Sequence, residues 1–124
     1  MSSESNKENV RKGYDAFMKG DVDGALATLA DDAVFVIKGD NALTGTYTGK
    51  EEIAGMWGQL GEKGFSVEPS EFIADGDTVV VLDTNIAGGD RAEVADVLTC
   101  NSDGLITRLE TFGEEGFLDG LFPK

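Results

Sequence analysis

Thr78-Val-Val-Val-Leu-Asp-Thr-Asn-Ile-Ala87-Gly-Gly-Asp-Arg-Ala-Glu-Val-Ala-Asp-Val-Leu-Thr-Cys100-Asn-Ser-Asp-Gly104-Leu-Ile-Thr-Arg-Leu-Glu-Thr-Phe112 contains three β-rich runs and two turn signals. The runs are Thr78 to Ala87, Ala92 to Cys100 and Leu105 to Phe112, and Gly88-Gly89-Asp90 and Asn101 to Gly104 separate them. Short polar, glycine-bearing links between runs of this length predict an antiparallel meander. Alternation then assigns faces. In the first run Val80, Leu82, Thr84 and Ile86 are mostly apolar and are expected to point inward, which sends Asp83 and Asn85 outward. In the second, Val94, Leu98 and Cys100 share one face, and Asp96 lies on it.

Upstream of the meander, Phe65 to Ile73 reads as a further strand, with Pro69 implying an edge or a bulge. The segments before it read as helices. Ser5 and Glu8 fit a capping box, followed by Val10, Tyr14 and Phe17 at helical spacing. Gly20 closes that helix and Asp21 caps a short second one through Val22, Ala25, Leu26 and Leu29, which Asp31-Asp32 stops. Ala33 to Ile37 is a strand, Gly39-Asp40-Asn41 a turn, and Thr44 to Thr48 a short strand. Thr48 and Glu51 repeat the capping-box spacing ahead of a third helix with Ile53, Met56, Trp57 and Leu60, ended by Gly61 and Gly64. The tail from Gly116 to Phe122 is apolar enough to dock. Helices followed by a strand meander predict an α+β domain, with helices covering one face of a mostly antiparallel sheet.

The chain has 124 residues, with 10 Lys plus Arg against 24 Asp plus Glu, hence a net charge of −14. The length fits one domain spanning 1–124, and 40% hydrophobic with 27% charged residues is a globular balance. No histidine is present and Cys100 is the single cysteine. That removes Ser-His-Asp and Cys-His relays, histidine-bound metal and an internal disulfide. The charge disfavours nucleic acid and anionic membrane as partners; a solvated surface explains it, and adaptation to high salt is a second reading. The opening Met1 to Glu8 lacks an apolar core, so no secretory signal is expected and a cytoplasmic location is the default. Seventeen glycines are scattered through turns and form no phosphate loop, and no cofactor is implied. Asp31-Asp32 lacks the spacing of a calcium loop, so no metal site is expected.

Four segments in order resemble the nuclear transport factor 2-like superfamily, in its SnoaL-like polyketide cyclase and ketosteroid isomerase branch. They are Gly20-Asp-Val-Asp-Gly24, Leu29-Ala-Asp-Asp-Ala-Val-Phe35, Gly49-Lys-Glu-Glu-Ile53 and Asp103 to Phe112. The resemblance implies a cone-shaped roll, a curved sheet wrapped around the long first helix with two further short helices. It also implies an apolar cavity open at one end and homodimers through the outer sheet face. Such a cavity would hold a small, apolar, carbonyl-bearing molecule, for binding or for proton transfer of isomerase, cyclase or dehydratase type. A non-catalytic dimeric module of the same fold is the alternative.

Asp96 is the leading candidate within that fold. A carboxyl among apolar neighbours resists ionisation, and a neutral carboxylic acid can donate a hydrogen bond to a ligand oxygen. Asp96 resembles the isomerases' acidic residue in its distance from the hairpin glycine, here Gly104. A structural aspartate bonded to the first helix is the competing reading. The isomerase base position corresponds to Ile37, the helix tyrosine to Gly13, and the cyclase acid to Thr111. Tyr14, one residue on, is rotated by about 100° around the helix and is a weaker candidate. The expected lining is Tyr14, Phe17, Phe35, Ile37, Tyr47, Trp57, Leu82, Thr84, Leu98, Leu109 and Thr111.

Overall fold

The structure is a computed structural model that describes residues 2–113 and 116–124. Its elements in chain order are α1 (Ser3–Met18), α2 (Val22–Leu26), β1 (Leu29–Ile37), β2 (Gly45–Thr48), α3 (Lys50–Glu62), β3 (Ser66–Asp75), β4 (Thr78–Ala87), β5 (Asp90–Cys100), β6 (Ile106–Gly113) and α4 (Phe117–Leu121). The six strands form one curved sheet in the order β2-β1-β6-β5-β4-β3. Among the described residues only the β1–β6 pairing is parallel. Register shifts interrupt β1 after Leu29, β3 at Pro69 to Glu71 and β6 at Thr107, and such bulges bend strands. The α+β reading holds, and Pro69 lies where expected, at a bulge in an edge strand.

Helix α1 presents Asn6, Val10 and Tyr14 at four-residue intervals, one buried stripe. It packs against β3, β4 and α2, while α3 packs on β1 and β2. Two asparagines fix α1 to the turns beneath it. Asn6 Nδ2 donates to the Gly76 carbonyl at 3.1 Å, and Asn9 Nδ2 to those of Thr28 and Gly104 at 3.2 and 2.9 Å. At the opposite end Phe122 is buried, and the Ala42 N–H donates to its carbonyl at 2.7 Å, so the tail docks as α4. Among the described residues no helix is long and apolar enough to cross a membrane.

Three expected element ends move. The cap of α1 is Ser2, which accepts from the Ser5 N–H at 3.1 Å, so the helix begins before the predicted box. Gly49 caps α3 at φ +90°, and Glu52 rather than Glu51 reaches back to the Thr48 N–H at 3.0 Å. Asp31-Asp32 lies inside β1 and does not stop a helix, because α2 already ends at Leu26.

The face assigned to β4 is reversed. Gly88 and Gly89, both at positive φ, form a two-residue hairpin turn that pairs Ala87 with Asp90. That register sets Asp83 opposite Val94, Val81 opposite Asp96 and Val79 opposite Leu98. Directly opposed residues share a face, so Val79, Val81, Asp83 and Asn85 point with Asp96. Leu82 and Thr84 turn to the outer surface, and Leu82 is 37% exposed.

Candidate functional site

The concave side of the sheet, closed by α1 and α3, holds a partly enclosed cavity of about 150 Å³. Its wall is mainly aromatic and aliphatic. Trp57 makes edge contacts with Phe17 and Phe35, ring centroids 5.6 and 5.9 Å apart. Ile37, Leu98 and Leu109 extend the apolar lining.

A polar cluster interrupts it. Asp96 is 6% exposed. Its Oδ2 accepts a short hydrogen bond from the Tyr14 hydroxyl, and its Oδ1 accepts from Thr111 Oγ1 at 2.7 Å. Both partners follow from the fold: Thr111 is opposite Asp96 in the β5–β6 ladder, and Tyr14 ends the buried stripe of α1. Burial pushes the Asp96 carboxyl above the usual range, while the Tyr14 and Thr111 hydroxyls pull it back. The Tyr14 hydroxyl is raised well above its ordinary value, by burial first and then by the nearby Asp96 charge.

Asp83 is the residue that sequence reasoning missed. It is 4% exposed and lies beside Asp96, and among the described residues neither of its oxygens has a partner at close hydrogen-bond geometry. Burial, and then the adjacent Asp96 carboxylate, push it up to about 8. The Gly88-Gly89 turn was the available signal, since a two-residue hairpin fixes which residues of β4 face those of β5.

Of the expected lining, Tyr14, Phe17, Phe35, Ile37, Trp57, Leu98, Leu109 and Thr111 border the cavity, together with Asp96. Tyr47, Leu82 and Thr84 do not. The Tyr47 hydroxyl is turned away to donate to the Leu43 carbonyl at 2.6 Å, and the other two lie on the outer face of β4. Ile37 leaves the strand β1 wall without a proton carrier. A Cβ at Gly13 would stand 2.8 Å from Thr28 Oγ1, which donates to the Ala25 carbonyl. A side chain there must displace that hydroxyl, and Tyr14 enters the cavity instead. Cys100 packs in the core with its thiol pushed up by burial. Among the described residues no three His, Cys, Asp or Glu side chains converge to hold a metal ion.

Comparison with curated proteins finds no match. Solved structures give clear likenesses. An NTF2-like protein of unknown function from Burkholderia pseudomallei is 25% identical over the whole of both chains, with a TM-score of 0.82. A proposed polyketide cyclase from Sinorhizobium meliloti is 27% identical over 85% of this chain and 94% of its own, with a TM-score of 0.74. A proposed ketosteroid isomerase from Kribbella flavida, 19% identical over 98% and 90% with a TM-score of 0.79, shares the fold. The SnoaL-like domain model matches residues 10–109. The chain therefore belongs to the SnoaL-like family, within the nuclear transport factor 2-like superfamily.

Proposed function

We propose that this chain binds a small, mainly apolar molecule carrying a carbonyl group, with its oxygen at the polar end of the cavity, which Asp96, Tyr14, Thr111 and Asp83 line. The observation that supports this reading is a buried, hydroxyl-bonded carboxyl set in an otherwise apolar hollow. Few polar groups converging in an apolar cavity is the usual form of a small-molecule site. A second reading, proton transfer of isomerase, cyclase or dehydratase type, is favoured by the Asp83 carboxyl, pushed up to about 8. A catalytic acid or base works best with a pKa close to the working pH. Thermal-shift and NMR titration with a series of apolar ketones tests the binding reading. Wild type is expected to be stabilised, and Asp96→Asn to bind several-fold more weakly. Equal affinity in the two proteins would remove Asp96 from the site.

The same chain is proposed to form a homodimer through the outer sheet face, as the family resemblance implies. Ile73, Leu82 and Phe112, 48, 37 and 46% exposed, lie there. Ladder pairing joins them across β3 to β6, Ile73 to Val80 to Val97 and Leu82 to Ala95 to Phe112. An apolar stripe of this kind marks an association surface. Light scattering is expected to give twice the chain mass for wild type and one chain mass for a Leu82→Lys, Phe112→Lys double variant. A monomeric wild type at tens of micromolar would exclude the dimer.

A further inference from the structure

We propose that Asp83 is the group that meets the ligand, its protonated carboxyl donating a hydrogen bond to the oxygen of a ketone about the size of a single ring, with Asp96 fixed behind it as the partner anion. The assignment rests on the ketone-binding reading above and names the contact within it. Each oxygen of Asp96 already accepts a hydroxyl, one from Tyr14 and one from Thr111. A carboxyl bonded in this way is favoured as the anion and has no proton to give. Asp83 lines the same cavity, is also buried, and, unlike Asp96, receives no side-chain hydroxyl at either oxygen. Two neighbouring carboxylates do not both ionise readily away from water, so the pair keeps one proton. That proton belongs on the carboxyl without hydroxyl donors. The upward displacement of Asp83 to about 8 agrees with this placement.

Asp83 shares its proton with Asp96, and the proton turns to the ligand oxygen when a ketone is bound. The ladder neighbours of Asp83 are Pro69 on β3 and Val94 on β5, and neither side chain can donate a hydrogen bond. The other ionisable side chains lining the cavity are Tyr14 from α1, Asp96 from β5 and Lys38 beyond the end of β1. Lys38 pairs with Glu110 at 3.0 Å. The size follows from the volume: about 150 Å³ matches an apolar cavity known to accept one benzene-sized molecule.

The test uses acetophenone labelled with carbon-13 at its carbonyl, observed by infrared spectroscopy when bound. A carbonyl stretch falls in frequency when its oxygen accepts a hydrogen bond. Wild type at pH 6 is expected to show the lowered band and to lose it as the pH rises through about 8. Asp83→Leu is expected to lack the band at every pH and to bind roughly 10-fold more weakly, the worth of one hydrogen bond. Asp83→Asn keeps a donor that does not titrate, so its band should persist without pH dependence. If Asp83→Leu fails to fold, the wild-type and Asp83→Asn titrations decide the matter. A pH-dependent band surviving in Asp83→Asn overturns the assignment to Asp83 and leaves ketone binding intact. So does an unshifted carbonyl in bound wild type. No binding of acetophenone by wild type overturns both.

Discussion

Between about pH 4 and pH 8 the wild-type protein is expected to lose stability that an Asp83→Asn variant keeps. The sign follows from proton binding. Asp83 has a folded-state value of about 8 against an ordinary value of 3.8. Below pH 4 both folded and unfolded chains hold the proton, and no penalty arises. Between the two values the folded chain holds a proton that the unfolded chain has released. Stability therefore falls as pH rises, with a slope of at most about 1.4 kcal/mol per pH unit, and levels off above pH 8. An amide at position 83 cannot ionise, so this slope disappears. Glu110 and Asp119, held low by their own partners, act in the opposite sense at acid pH. They are common to both proteins and cancel in the difference, while Asp96, raised by burial, leaves the variant a smaller slope of the same sign as that of Asp83. Urea denaturation of both proteins at pH 5, 7 and 9, at fixed ionic strength, checks this. The variant should gain on wild type at each step. Parallel curves would mean that Asp83 ionises as freely in the folded chain as in water.

The reversal of β4 shows where sequence reading stops. The meander was legible because its strands are long and its turns rich in glycine, and all three strands lie close to their expected bounds. The face of β4 was not legible from hydrophobicity. Its outer set, Val80, Leu82 and Ile86, is as apolar as its inner set, Val79 and Val81, because the outer surface of this sheet is itself apolar. Pairing register resolves the ambiguity: with Asp96 inside, a two-residue link at Gly88-Gly89 requires Asp83 inside as well. Asp96 was visible because its neighbours in alternation, Val94, Leu98 and Cys100, are uniformly apolar. Its partners were not, since Tyr14 meets Asp96 only through the angle at which α1 crosses the sheet. The shifted caps have a local cause. Ser2 competes with Ser5 for the start of α1, and contacts to the Gly76 turn, from Ser3 Oγ accepting its N–H and Asn6 donating to its carbonyl, favour the earlier start.

Leu98→Ala is expected to cost about 2–5 kcal/mol of stability, and the upper part of that range is the better expectation. Leu98 is 1% exposed and lies opposite Val79 in one ladder and Leu109 in the other. Ladder hydrogen bonds hold all three strands, so β5 cannot move inward to fill the space. The side chain also borders the cavity. The vacated volume therefore joins an existing hollow, and the surrounding atoms lose contacts without finding new ones. The same geometry predicts a second effect of opposite sign. If the cavity takes a ring-sized ketone, the variant should shift preference toward a bicyclic ketone such as 1-tetralone relative to acetophenone. Two measurements separate the packing argument from the ligand argument. A loss below about 1 kcal/mol in urea denaturation would show that the strands do relax around Leu98. A large loss with unchanged ligand preference would place the bound ring away from β5, at the Phe17, Phe35 and Trp57 wall.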